Sequence, residues 1–318
     1  MKNKPIYVEL DIDAALSELW EHTQDPRLHE QWDLRFTEIE YLPRADVSEK
    51  QLFRYATRIG FGFKIAGMGE TCSTTAPNKG MRLSTLAFSS EQQLSLIRKG
   101  GGYWKYEENG NRLTFITLFD YQTRFGFAGK LLDRYLFRPL FGYATAWSFD
   151  RLRIWLEERI PPSFIAERAL IHYMSVILIM LLWCYEGLVP KLFFPEAGEL
   201  YLMRKLGWFE GSELQIIQLI GILEIGLGLI TAFWHRRSGM YTVQALLLLL
   251  LTAPMILFAP ELLAAPFNPL TLALPMIGLC FAARWSSRYL PQASRCRRKY
   301  SPSLRKEGIT CDRFTSKR

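Results

Sequence analysis

The stretch ALIHYMSVILIMLLWCYEGLV, residues 169–189, carries a single charged side chain, Glu186, in twenty-one positions. At about 1.5 Å per residue it is long enough to cross a hydrocarbon core of about 30 Å. Three more apolar stretches follow, residues 214–234, about 242–263 and about 267–283, the last at the short limit for a span. The sequence therefore predicts an all-α transmembrane four-helix bundle. Glu224 falls ten residues into the second stretch, roughly 15 Å from its start. A carboxylate at that depth costs about 2.5–3.5 kcal/mol on insertion scales, so it must face partners inside the bundle or be neutral.

The flanking charges fix an expected orientation. Arg151, Arg153, Arg159 and Arg168 precede the first stretch, Arg236 and Arg237 join the second to the third, and eleven Lys/Arg follow from Arg284 on. The opposite side has Lys191, Arg204 and Lys205. Basic segments resist translocation, so a multi-pass protein of the cell membrane with both termini cytoplasmic is expected. No apolar run suited to a signal peptide occupies the first residues.

The formal charge of +8 is local. The eleven basic residues from Arg284 on stand against only Glu307 and Asp312, so a basic tail, residues 285–318, reads as a disordered segment drawn to anionic lipid. Nucleic acid is not an expected partner. The five cysteines form no C-x-x-C, and Cys184 and Cys280 lie at depths about 12 Å apart, too far for a disulfide. His22 and His29 lack further Cys or His partners, so no metal site is expected.

Residues 1–160 read as a separate soluble domain. A strand at 6–12 precedes a helix starting at Ala14 behind Asp13, and Asp25-Pro26 breaks this from a short helix ending at Trp32. Strands follow at 36–42, 52–59, 61–74, 81–88, 92–98, 102–106 and 112–122, with Asn109-Gly110 as a hairpin turn. Alternation of Phe53, Tyr55 and Thr57 with Arg54 and Arg58 gives one apolar and one wet face. Such a domain should fold without the membrane half.

Two resemblances add to this. The order strand, two helices, strands, long helix, closed by FRPLFGYATAWSFDRLRIWLEE at 137–158, resembles the START-like (SRPBCC, polyketide-cyclase-like) helix-grip fold, in which an antiparallel sheet curls around the last helix. The resemblance implies an α+β domain with an apolar cavity for a lipid, isoprenoid or other lipophilic ligand. Phe61, Phe63, Phe88, Phe115, Phe119 and Trp147 are its candidate lining residues, although an ordinary core needs such aromatics too. Arg138, Asp150, Arg151 and Arg153 read as surface ion pairs on that helix.

WCYEGLVPKLFFPE at 183–196 and IGILEIGLG at 220–228 resemble the DoxX-like family of four-helix membrane proteins, which gives a membrane domain over residues 161–284. On that match Glu186, Lys191 and Glu224 form an intramembrane polar site, with Glu186 and Lys191 also readable as an interfacial pair. Gln218 and Gln244 are candidate partners for Glu224, and His172 reads as interfacial. The family is linked in name to thiosulfate:quinone oxidoreductase and membrane oxidoreductase assemblies, which implies a quinone and an oxidoreductase partner. No haem, flavin or iron-sulfur signature accompanies it. Binding of a lipophilic molecule leads these readings. A quinone-linked oxidoreductase subunit is the alternative, and ion or proton transport through a homo-oligomer the third.

Overall fold

The computed structural model describes residues 4–44, 46, 49–60, 62–75, 81–110, 112–197, 199–205, 207–264 and 268–299. The chain divides into two units, Met1–Ile165 together with the chain from Pro291 on, and Ala166–Leu290.

The front unit is an α+β helix-grip domain. Its strands β1 (Ile6–Ile12), β2 (Glu38–Tyr41), β3 (Gln51–Gly60), β4 (Phe63–Thr75), β5 (Met81–Ser89), β6 (Ile97–Asn109) and β7 (Arg112–Thr123) form one sheet in the order β1-β7-β6-β5-β4-β3-β2. Every pairing is antiparallel. Helices α1 (Leu16–Gln24) and α2 (Pro26–Trp32) follow β1. A helical run of α3 (Gly126–Leu132), a π turn (Asp133–Phe137) and α4 (Arg138–Glu158) follows β7. Asp25 caps α2 by accepting from Arg27 N, whereas α1 begins at Leu16 after Ala15 and has no side-chain cap.

The core lies where α1, α2 and α4 meet the apolar face of the sheet. Val8, Ile12, Leu19, Trp32, Tyr106 and Phe149 are fully buried there. Phe149 of α4 stacks on Phe115 of β7 with centroids 4.4 Å apart. The expected strands at 92–98 and 102–106 are one strand, β6, starting at Ile97. Its glycines keep it continuous under crowding, since a Cβ on Gly102 would lie 2.2 Å from Leu118 O.

The charged residues of α4 are not a surface set. Asp150 is fully buried and accepts from Arg153 Nε at 2.7 Å and from Gln292 N at 2.6 Å. Arg151 donates to Pro162 O at 2.6 Å, and Arg138 reaches Asp133 and Asp120. Burial holds these groups to fixed partners, except that Arg138 Nη2 has no hydrogen-bond partner among the described residues.

The expected disordered tail is also corrected over residues 291–299. Ala293 and Cys296 are buried in the front core, and Cys296 Sγ lies 3.3 Å from Ala146 O. Arg297 bridges Glu9 of the edge strand β1 through two backbone hydrogen bonds, 3.0 and 2.9 Å. Apolar side chains and a free strand edge outweigh the local positive charge here. Residues 300–318 lie outside the described residues.

In the second unit, helices α5 (Pro162–Glu186), α7 (Glu213–Phe233), α8 (Ser238–Phe258) and α9 (Pro269–Ser286) are long and apolar enough to span a membrane, α5 together with the π segment Gly187–Phe193 that continues it. A short helix α6 (Glu199–Lys205) follows α5. Pro190 sits within the π segment, so the helix widens before it ends. Gly187 and Gly221 bring α5 and α7 together: a Cβ on Gly187 would lie 2.3 Å from Gly221 O. Gly228 makes a similar approach to Met180 O, while Gly226 faces open space.

His172 is fully buried among protein groups. Its Nδ1 must donate to Ala283 O at 2.9 Å, because a carbonyl only accepts, and its Nε2 meets His235 Nδ1 at 3.0 Å.

The return of residues 291–299 yields a stability test. A fragment of residues 1–160 should fold, but with about 1–3 kcal/mol less stability than the same fragment joined to 291–299 by a flexible linker, as judged from the apolar area restored. Urea titrations of both fragments measure it. Equal midpoints would show that this segment contributes nothing.

Candidate functional site

The two units differ in the space they enclose. A cavity of about 30 Å³ in the front unit is lined by Thr23, Gln24, His29, Phe53, Trp104 and their neighbours. That is about the share of one water molecule in the liquid. Among the described aromatic candidates, Phe63, Phe88, Phe115, Phe119 and Trp147, none lines it. Phe115, Phe119 and Trp147 are buried in packing contacts, Phe88 is half-buried against β-sheet neighbours, and Phe63 is exposed. Phe61 lies outside the described residues. The sheet has spent Phe115 and Phe119 on closing its core, with Phe119 edge-on to Phe141 at 5.6 Å.

The bundle encloses about 370 Å³, within the range of small-molecule sites. Most of its wall is apolar: Trp183, Leu248, Leu251, Met255, Leu272 and Met276 contribute from α5, α8 and α9. One wall is charged. Glu186, Lys191, Glu199 and Glu224 all face the cavity.

Lys191 is the centre of that wall. It is 2% exposed, and its Nζ lies 2.8 Å from Glu199 Oε1 and 2.8 Å from Glu224 Oε2. Glu224 is 6% exposed, and Oε2 is the oxygen that meets the Lys191 ammonium. The π segment determines where Lys191 points. It places Lys191 one turn after Gly187, against α7, where a Cβ on Gly221 would lie 2.9 Å from Lys191 Cβ.

Glu186, Lys191 and Glu224 line one cavity. The pairing differs. Lys191 turns to Glu199 and Glu224 rather than to Glu186. Gln244 does not reach Glu224 either: it accepts from Trp183 Nε1 at 2.9 Å and donates to Thr231 Oγ1 at 3.1 Å. Glu199 was not legible as a site residue, because it sits in a polar connection between spans. The clue was its place on a short helix with Leu200, which is fully buried.

Three carboxyl groups and one ammonium make this wall polar, suited to the hydrogen-bonding head of a ligand.

Four membrane-length helices behind a helix-grip domain define a multi-pass membrane protein, and the DoxX-like family model matches residues 180–281, the part that holds the cavity. The uncharacterized membrane protein YndG of Bacillus subtilis (strain 168) is 49% identical over 189 residues, 59% of this chain and 70% of that protein. The chain belongs to the family of this membrane protein, with a DoxX-like domain as its bundle. Among solved structures, a protein from Arthrobacter aurescens matches at 14% identity and a TM-score of 0.36, over 51% of this chain and 92% of its own. The Zhui aromatase/cyclase from Streptomyces sp. R1128 matches at 13% and 0.35, over 47% and 96%.

The buried charges give a coupling test. Lys191→Met removes the only cation paired with Glu224 among the described residues and should cost about 3–5 kcal/mol, whereas Glu224→Leu leaves Lys191 with Glu199 and should cost less. The double variant should recover a large part of the summed loss. Thermal unfolding in one detergent measures all three. Additive losses would show that the two residues act apart.

Proposed function

We propose that the bundle binds a lipophilic small molecule, with its apolar body among the α5, α8 and α9 side chains and a donor-bearing polar head against Glu199, Lys191 and Glu224. The observation that carries this reading is the combination of 370 Å³ of mainly apolar space with the carboxyl groups of Glu186, Glu199 and Glu224 along one wall of it. A carboxyl oxygen facing such a space accepts from any ligand hydroxyl or amine that reaches it. Quinols and hydroxylated isoprenoids belong to this class. A quinone-linked role would require a redox partner in addition. The front unit's cavity is too small for a lipid as it stands, so the bundle is the first place to look.

Purification in mild detergent, lipid extraction and mass spectrometry test the reading. Wild type should retain one class of neutral or cationic lipophile, and Ala273→Leu, which fills the cavity wall, should lose it while still melting cooperatively. Glu224→Gln keeps the shape but not the ionisable group, so retention of ligand there would assign Glu224 a hydrogen-bonding role alone. Empty wild-type protein, or a bound lipid with an anionic head, would overturn the proposal.

We also infer that the protein sits in the cell membrane with both termini cytoplasmic, on the excess of basic residues flanking one side of the spans. A reporter active only outside the cytoplasm should work when inserted after Phe209 and stay silent when fused after Arg318. The opposite pattern would sink the orientation.

A further inference from the structure

Large apolar side chains exposed on the front unit are scattered singly over most of its surface, as on any soluble domain. Residues 125–143 are different. Within this one helical run Phe127 is 81% exposed, Tyr135 69%, Leu140 58% and Phe125 57%, with Leu131 and Leu136 beside them. A contiguous patch of this kind marks an interaction surface.

Its charge points to the partner. Lys130 and Arg134 are exposed within the run, and the Arg134 guanidinium lies over the Tyr135 ring at 5.6 Å. The run contains one acid, Asp133, and it is fully buried, accepting from Tyr121 OH at 2.6 Å and Arg138 Nε at 3.0 Å. The exposed charge of the patch is therefore only positive. Aromatic and aliphatic side chains interleaved with basic ones are the pattern of a helix lying in a bilayer interface.

The patch is also held in shape. Arg124 N donates to Leu96 O at 2.8 Å, its guanidinium binds the carbonyls of Ser90, Glu91 and Gln92, and Gly129 packs so closely that a Cβ would lie 1.8 Å from Arg124 O. Phe125 is held at φ 62°, in the left-handed region that a bulky residue rarely adopts. Local structure thus holds these apolar groups outward where the chain could otherwise have folded them in. The same chain carries four membrane-length helices, so a bilayer is always within its tether.

We infer that residues 125–143 form an interfacial docking surface for an anionic lipid bilayer, by which the front unit rests on the membrane.

The test uses the full chain reconstituted in vesicles, with an environment-sensitive fluorescent amino acid replacing Phe127, Tyr135 or, as a control, the exposed Leu52 of β3. Lipid-borne quenchers should dim the first two labels several-fold more than the third in phosphatidylcholine–phosphatidylglycerol vesicles. Removing both basic side chains, K130Q with R134Q, should shift the contact equilibrium by on the order of tenfold, as should phosphatidylcholine alone. These positions are exposed, so cooperative melting should persist. Equal access of all three labels to an aqueous quencher would overturn the proposal. Shielding from both quenchers that grows with the protein-to-lipid ratio would overturn it too, and assign the surface to a second copy of the chain.

Discussion

An ammonium group carried into an apolar bundle has to be matched within hydrogen-bond reach, and in this protein that requirement falls on Lys191. Two carboxylates answer it, one from α6 and one from the middle of α7. Glu224 can reach Lys191 only because Gly187 and Gly221 let the backbones touch, and Lys191 can point that way only because the helix widens into a π segment after Glu186. The glycines, the proline and the three charges are therefore one device. Removing Lys191 leaves Glu224 without its cation, and removing either carboxylate leaves Lys191 with one partner in place of two.

The cavity follows from the same device. Helices whose contact is set by glycine at one crossing cannot also close on each other where the side chains are large. Trp183 is held by its own hydrogen bond to Gln244, and Pro254 and Pro275 interrupt the ladders of α8 and α9. The space left between these fixed parts is bounded on one side by charge and elsewhere by aliphatic groups.

Hydropathy made the four spans legible because hydrocarbon imposes one composition on about twenty consecutive residues. Glu224 was legible for the same reason, as a violation of that rule. Glu199 was not, since a carboxylate in a polar connection violates nothing until the connection folds over the site. The aromatics of the front sheet were readable as buried, but sequence period does not distinguish a ring that lines a cavity from one that fills it. Phe115 stacked on Phe149 shows which occurred. Residues 291–299 read as a charged tail because Arg295, Arg297, Arg298 and Lys299 dominate the count, while the two small side chains that carry the packing, Ala293 and Cys296, hardly register in any composition.

That returning segment has a consequence for how the protein is made. Arg297 pairs with Glu9 across 288 positions, and everything between Ile165 and Pro291 belongs to the other unit. At synthesis rates of about 5–20 residues per second, the front sheet stays open at its β1 edge for roughly 10–35 seconds after the rest of its strands are available. During that interval the Arg297 cover of this edge is missing, and it is supplied only after the last helix has emerged. Completion of the front unit thus follows translation of the membrane unit through to its end.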